Sequence, residues 1–447
     1  MNIFKSRKKQ TKIAVLSIDG MPFTFAQKMA KTGKTPNLAS LLNTGTCKRM
    51  NSVYPTVSSV AWSSFMTGVN PGSHNIYGFI DREPNPFNMF IPTSAKMKTR
   101  TLWEFLSDKG KKVVVINVPV TYPPRKVNGI LIGCFLATSL DRIVYPAEYS
   151  RKLKDWGYRI DADAWLGRKD KEKFLEDIHL TLDKRMETGF KLMDSEEWDY
   201  FHLHIMESDR ISHFLWEQWE TGDPQWAPRF EQFWIEVDRY IAEFQNRLDK
   251  NTRFIVLSDH GFCSVKKEVY LNQWLIDNGY LVFNKAKPES LKEINPLTKA
   301  YSLIPGRIYL NLKGREWAGT IEQGSQQRRL TDELKQTLPE MTDPDTGEKI
   351  IQRVFTREEI YKGAFIHRAA DLIAVPNDGY DIKGNLTAEK MTHKGELVGM
   401  HTYDDAFLYV DGMEMDDRQA EIIDVLPTIF KQMDVKIPPT VEGKPLL

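Results

Sequence analysis

Cysteine is scarce in this chain. Three occur in 447 residues, Cys47, Cys134 and Cys263, an odd number, far apart and with no CxxC spacing. That argues against a disulfide scaffold and against a thiolate zinc site, and it fits a reducing, cytoplasmic location. Long apolar runs are missing too. None reaches the roughly 20 residues that a membrane-spanning helix needs. A dominant charge is also missing: 61 Lys and Arg face 60 Asp and Glu, a net charge of +1. A basic nucleic-acid-binding body is therefore not indicated. The opening MNIFKSRKKQTK is basic but lacks the apolar stretch and small-residue cleavage site of a secretory signal. Residues 5–12 read as a solvated tail.

What is present is an ordinary globular composition, 41% hydrophobic and 27% charged. The length suits one large α/β domain with insertions, or two domains. Strand-length apolar runs alternate with helical patterns. Residues 12–19 (KIAVLSID), 112–117, 200–205 and 253–258 read as buried strands. Residues 34–42, 101–106 and 230–248 read as helices. This alternation predicts a mostly parallel central sheet flanked by helices. Residues 286–368 differ, with polar helices and a turn-rich MTDPDTGEK. They are expected to form an inserted, substrate-selecting cap on a core made of residues 1–285 and 369–447. Residues 370–375 and 406–410 return to strand character, and residues 419–433 read as a closing amphipathic helix.

In parallel sheets, ligands bind beyond the carboxyl ends of the strands. Three strands here end in polar residues: Asp19, then Glu207 with Asp209, then Asp259 with His260. Asp209 and His213 lie four positions apart, on one face if the segment is helical. His401 precedes a further strand. Three Asp and three His without a thiolate suit zinc or manganese in a catalytic site. The nucleophile candidate is Ser58, in YPTVSSVAW, at the entry to a helix running to about Met66. A hydroxyl there sees unpaired N–H groups and the positive end of the helix dipole. No Gly-x-Ser-x-Gly elbow surrounds it, which argues against an esterase triad.

At these residues the chain resembles the alkaline phosphatase superfamily. It is most similar to the type I phosphodiesterase and nucleotide pyrophosphatase branch and to bacterial phosphohydrolase/phosphomutase-like proteins. The resemblance rests on LSIDG at Asp19, YPTVSS at Ser58, TGVNPGSHNIYGF after it, DRISH at Asp209, LSDHGF at Asp259 and GMHTYDDAF at His401, in the family's order. It implies one metal site of Asp19, Ser58, Asp259 and His260 and a second of Asp209, His213 and His401. It also implies two divalent ions, zinc with manganese as the alternative, and a small phosphate ester as substrate. The implied reaction is in-line attack of Ser58 on phosphorus, then hydrolysis of a phosphoseryl-type intermediate. One departure stands out. The diesterases carry an Asn three residues after the nucleophile to hold a phosphoryl oxygen, where this chain has Ala61. Trp62 follows, as in the phosphohydrolase-like branch, and the diester assignment is weaker for it.

Taken singly, each residue has a plainer reading. Asp19 and Ser58 are commonplace as helix caps, and Asp259-His260 as a turn. It is the ordered set that points to chemistry. His202 and His204 alternate on a strand and read as core or lining residues, and His74 as a loop anchor. His179, His367 and His393 have no metal spacing. Trp165 and Trp216 read as core. The rivals are a phosphomonoesterase or phosphomutase with the same metals and a metal-stabilised binding protein without catalysis. A sulfatase lacks its C/S-x-P-x-R context here, and a phosphoethanolamine transferase lacks its anchor.

Overall fold

The computed structural model describes residues 11–44 and 46–447, so residues 5–10 of the basic segment lie outside the described residues. Among the described residues nine strands form the main sheet, numbered here along the chain. They are β1 (Lys12–Ile18), β2 (Thr46–Asn51), β3 (Val113–Ile116), β4 (Gly129–Ile132), β5 (Val144–Tyr145), β6 (Tyr200–Ile205), β7 (Thr252–Leu257), β8 (Ala406–Val410) and β9 (Ala420–Glu421). Their order is β9-β2-β8-β7-β1-β6-β3-β4-β5. The centre, from β7 to β4, is parallel. β8 runs antiparallel to both β7 and β2, and β5 runs antiparallel to β4.

The central strands are near-continuous apolar runs because both faces of the sheet are covered. Along β1 the residues alternate between two cores. Ala14, Leu16 and Ile18 join a cluster with Phe25, Leu38, Phe174, Ile211 and Phe230 from the helices on one face. Ile13 and Val15 join a second cluster with Trp62, Leu102 and Leu426 from the helices on the other. The period of two along the strand thus serves two helical layers.

A third core belongs to residues outside the main sheet. Strands Ala300–Leu303, Arg307–Leu310, Leu372–Pro376 and Ile351–Thr356 form an antiparallel sheet in that order, with helix Ser325–Thr337 nearby. Leu372–Pro376, expected to return to the core domain, pairs here instead, so this second sheet reaches past residue 368.

Two other expectations are corrected. Residues 419–433 are not one helix. Ala420–Glu421 pair with Met50 and Asn51 at the sheet edge, and the helix spans only Val425–Gln432. Trp165 is not core: it is 67% exposed, whereas Trp216 is buried. Among the described residues no helix is long and apolar enough to cross a membrane.

Candidate active site

The register of the sheet brings the sequence-distant candidates together. Ile18 of β1 is level with Ile205 of β6, and Ser17 with Leu257 of β7. The carboxyl ends of three adjacent parallel strands therefore lie side by side, about 4.8 Å apart. Asp19 leaves β1, Asp259 and His260 leave β7, and Asp209 lies in the first turn of helix Glu207–Thr221, which follows β6. His213 is one turn further along that helix.

His401 arrives from the far end of the chain on a short antiparallel strand pair. Strand Gly399–Thr402 pairs with Gly261–Ser264, and His401 is opposite Phe262. Gly399 lets this strand touch the helix carrying Asp209: a Cβ there would sit 2.3 Å from the Ser212 carbonyl. Gly20 is equally constrained. Its φ is +67°, its amide donates to Asp259 Oδ1 at 3.1 Å, and a Cβ would meet the Phe262 ring.

Ser58 is the first residue of helix Ser58–Thr67. The carbonyl of Val57 already accepts from Val60 and Ala61, so the amides of Ser58 and Ser59 are the ones left without a helical partner. Ser58 Oγ donates to Asp19 Oδ1 at 3.1 Å and lies 3.2 Å from His260 Nε2. Trp62, one turn on, donates its indole N–H to Asp19 Oδ2 at 2.9 Å. The helix thus grips both oxygens of one carboxylate. Ala61 is fully buried in the core beneath this helix. A side chain at position 61 faces the apolar neighbours of that core.

The seven candidates meet in one place. Asp19, Asp259 and His260 form one compact trio of potential ligands, and Asp209, His260 and His401 form another. His213 Nε2 completes the second group, 3.2 Å from His401 Nε2 and 3.4 Å from Asp209 Oδ1. Asp19, Asp209, Asp259 and His260 are buried; Ser58, His213 and His401 reach solvent.

The electrostatics are those of a cluster built around positive charge. Burial raises the Asp209 carboxyl, but the facing His213 and His401 outweigh it and hold it well below the usual range. Asp19 is likewise raised by burial and lowered further by His204 and His260, ending below its usual value. Asp259 has no such compensation: burial and the neighbouring Asp19 charge push it well up. Burial and the adjacent His401 push His260 down to about 3. His401 is lowered by burial but raised more by its contact with Asp209, ending above its usual value.

These residues fit divalent cations. Each imidazole has its Nδ1 beside a backbone carbonyl: His213 with Gly399 at 2.8 Å, His260 with Gly261 at 3.0 Å, His401 with Thr56 at 3.2 Å. Such bonds place the proton on Nδ1 and turn the Nε2 lone pairs inward, as in imidazole ligation. Asp259 Oδ2 is buried and accepts no hydrogen bond, although His260 Nε2 is 3.3 Å away. An acceptor facing an unprotonated nitrogen is an arrangement that a cation resolves.

The chain matches the family described as Type I phosphodiesterase / nucleotide pyrophosphatase over residues 13–404. It belongs to that family. Among solved structures it is similar to phosphonoacetate hydrolase from Sinorhizobium meliloti 1021 in complex with phosphonoformate, with a TM-score of 0.64, 15% identity and 95% of each chain covered. It is also similar to human ectonucleotide pyrophosphatase / phosphodiesterase 5, with a TM-score of 0.58, 16% identity and 97% of each chain covered. At such identities the structures speak for a shared alkaline phosphatase-like fold. No curated protein sequence matches the chain. As a member of the type I phosphodiesterase and nucleotide pyrophosphatase family, it is a hydrolase acting on phosphoric esters.

Several residues at this site were not singled out by the sequence. Trp62 stood out only as a mark of the phosphohydrolase-like branch, although it lies one helical turn from Ser58. Ser208, whose hydroxyl donates to the Asp19 carbonyl at 2.7 Å, carried no signal. Nor did Arg185, which pairs with Glu207 in full burial. His74 does anchor a loop: its ring bonds Ser64 Oγ and the Ile76 amide.

Proposed function

We propose that this phosphoryl hydrolase works through Ser58 as nucleophile, with two divalent ions held by Asp19, Ser58, Asp259 and His260 and by Asp209, His213 and His401. The observation that carries the reading is the position of Ser58 Oγ. It is 3.1 Å from Asp19 Oδ1, 3.2 Å from His260 Nε2 and at a helix N-terminus. Zinc suits the imidazole-carboxylate set best and manganese is the alternative. Bound there, such ions supply Lewis-acid stabilisation of the attacking and leaving oxygens.

The chain's own residues do the rest. Ser58 Oγ loses its proton to solvent and attacks phosphorus in line. The Oγ–P bond forms as the bond from phosphorus to the leaving oxygen breaks. The amides of Ser58 and Ser59 face the charge that grows on the phosphoryl oxygens. Water entering on the opposite side then attacks phosphorus, the Oγ–P bond breaks, and Ser58 recovers a proton. The net reaction adds one water across the ester.

The substrates we favour are phosphodiesters or nucleotide-like pyrophosphates, as the family's description suggests. A phosphomonoesterase or phosphomutase is the second reading, because nothing in the seven-residue cluster reads the group beyond phosphorus. We also place the enzyme in the cytoplasm, where Cys47, Cys134 and Cys263, all free thiols, would persist. The test is turnover of p-nitrophenyl mono- and diesters by protein loaded with zinc or manganese. Diester turnover above monoester turnover supports the first reading. The reverse order supports the second. No metal-dependent turnover of either refutes both.

A further inference from the structure

Behind Asp19 lies a line of buried polar groups that the reaction does not use. Tyr200, His202 and His204 project from β6, and Ser17 from the adjacent β1; all four are fully buried. Tyr200 Oη is 3.1 Å from His202 Nδ1, and His202 Nε2 is 2.8 Å from Ser17 Oγ. Ser17 Oγ is 2.9 Å from His204 Nδ1, and His204 Nε2 is 3.2 Å from Asp19 Oδ2. That last contact is off-line, but Nε2 has no better partner among the described residues.

The protons in this line can be ordered from both ends. At one end Asp19, read as a carboxylate ligand, can only accept, so His204 Nε2 carries a proton. His204 Nδ1 then accepts from Ser17, and Ser17 accepts from His202 Nε2–H, so His202 Nδ1 accepts from Tyr200. At the other end the Tyr200 hydroxyl has His202 as its only partner among the described residues. Were the line reversed, His202 Nδ1–H would donate to Tyr200 and the phenol hydrogen would be buried without an acceptor. A buried unsatisfied donor costs about 1–3 kcal/mol. The two ends therefore demand the same direction.

We propose that Tyr200, His202, Ser17 and His204 form a one-directional hydrogen-bond relay that saturates Asp19 Oδ2 and leaves Oδ1 as its single ligating oxygen. The proposal rests on the metal reading of Asp19 given above. Trp62 Nε1 is the second donor to the same oxygen. With two donors on Oδ2, the carboxylate is held edge-on, and Oδ1 faces Ser58 Oγ and His260 Nε2 at 3.1 and 3.5 Å. Bonds aligned head to tail polarise one another, so Tyr200 acts on Asp19 through four contacts. All four are positioning residues, because none reaches the reacting atoms.

The relay sets His202 and His204 apart from the inward-facing histidines by tautomer. In ¹⁵N-histidine-labelled, zinc-loaded full-length protein, two-bond ¹H–¹⁵N spectra distinguish the forms. His202 and His204 should be Nε2–H, and His213, His260 and His401 Nδ1–H. A His204 in the Nδ1–H or doubly protonated form overturns the relay. If His202 and His204 are as expected but the other three lack the Nδ1–H form, the relay is supported and the metal reading fails. Ser17→Ala cuts the line without touching a ligand. Its zinc dissociation constant should rise about tenfold, the scale of outer-shell losses, with loss of the pure Nε2–H form at His202, whose Nε2 loses its acceptor. Should Ser17→Ala not fold, Tyr200→Phe removes only the terminal hydroxyl and should shift His202 toward a tautomer mixture. Wild-type zinc affinity and tautomers in whichever variant folds overturn the proposal.

Discussion

The Nε2 atoms of His213 and His401 face each other at 3.2 Å while each ring's Nδ1 is already committed to a backbone carbonyl. Two lone pairs that close, beside Asp209 Oδ1, repel unless a cation or a proton separates them. The metal reading therefore makes a thermodynamic prediction. Protein stripped with a chelator should melt at a lower temperature than protein with two equivalents of zinc. A ligand at 100 times its dissociation constant stabilises by about 2.7 kcal/mol. Calorimetry with metal titration measures both stoichiometry and shift. Equal melting curves with and without metal would remove the two-metal site.

Ser58→Ala should keep the fold and the metals but lose turnover. No other hydroxyl is placed to substitute: Ser59 follows about 100° around the helix, and its hydroxyl is buried without a partner. The expected loss is at least about 10³-fold in kcat, in the range for removing a covalent nucleophile. Steady-state kinetics on metal-loaded protein of verified zinc content checks it, and near-normal turnover would take Ser58 out of the mechanism.

Asp259 should change sign as a stability determinant when metal is removed. Burial and the Asp19 charge raise its carboxyl well above the usual value. A group whose pKa is higher folded than unfolded stabilises below its unfolded pKa, about 3.9. That stability is lost as pH rises through the folded pKa. At neutral pH Asp259 is thus a burden in metal-free protein. Asp259→Asn should raise the melting temperature of the metal-free protein at pH 7 and leave it unchanged near pH 3. The same substitution should weaken zinc binding. Thermal melts across pH, with and without zinc, test the crossing; a destabilised metal-free variant at pH 7 contradicts it.

Glu207 and Arg185 form a fully buried pair, Nη2 to Oε1 at 2.7 Å and Nε to Oε1 at 2.9 Å. Tyr158 Oη and the Ile160 carbonyl take further guanidinium protons. The pair ties helix Lys171–Ser195 to the first turn of the helix that presents Asp209. Glu207→Ala leaves a buried guanidinium without its counter-charge and should cost about 3–5 kcal/mol. Denaturant unfolding measures this; a loss below about 1 kcal/mol would mean the pair is not needed for the fold.

How much of this was legible in the sequence depends on the range of the interaction. The strands showed as apolar runs, because double coverage of a parallel sheet writes itself locally. Asp19, Asp209, Asp259 and His260 showed because each follows such a run. Residues whose role comes from register were silent. Ser17 matters only because β1 and β6 are neighbours at a fixed offset, and His202 and His204 read as lining for the same reason. The setting of Ala61 was silent too: three residues from Ser58 is nearly one turn, but the helix rests on the core along that side. The position of Leu372–Pro376 was also illegible, since a strand's pattern does not name the sheet it joins.

The segment expected to select substrates, residues 286–368, meets the core at the Ser58 loop. The Tyr361 hydroxyl donates to the Tyr54 carbonyl at 2.9 Å, four residues before Ser58. The Tyr54 ring stacks on Tyr403 at 4.1 Å, and Phe355 packs against Tyr54 at 5.3 Å. Tyr403 in turn is two residues from His401. The guanidinium of exposed Arg353 lies 5.4 Å from the Phe355 ring. This places a half-exposed aromatic step and a cation beside the loop that carries the nucleophile. Such a surface suits a planar or anionic leaving group, through stacking and charge. Phe355→Ala and Arg353→Ala should therefore lower kcat/KM for a nucleotide-like substrate about tenfold. Turnover of a small ester such as methyl p-nitrophenyl phosphate should stay nearly constant, because neither side chain belongs to the metal cluster. Parallel kinetics on the two substrates separate selection from general damage. An equal fall on both, with unchanged stability, would show that this segment supports the loop and does not choose the substrate.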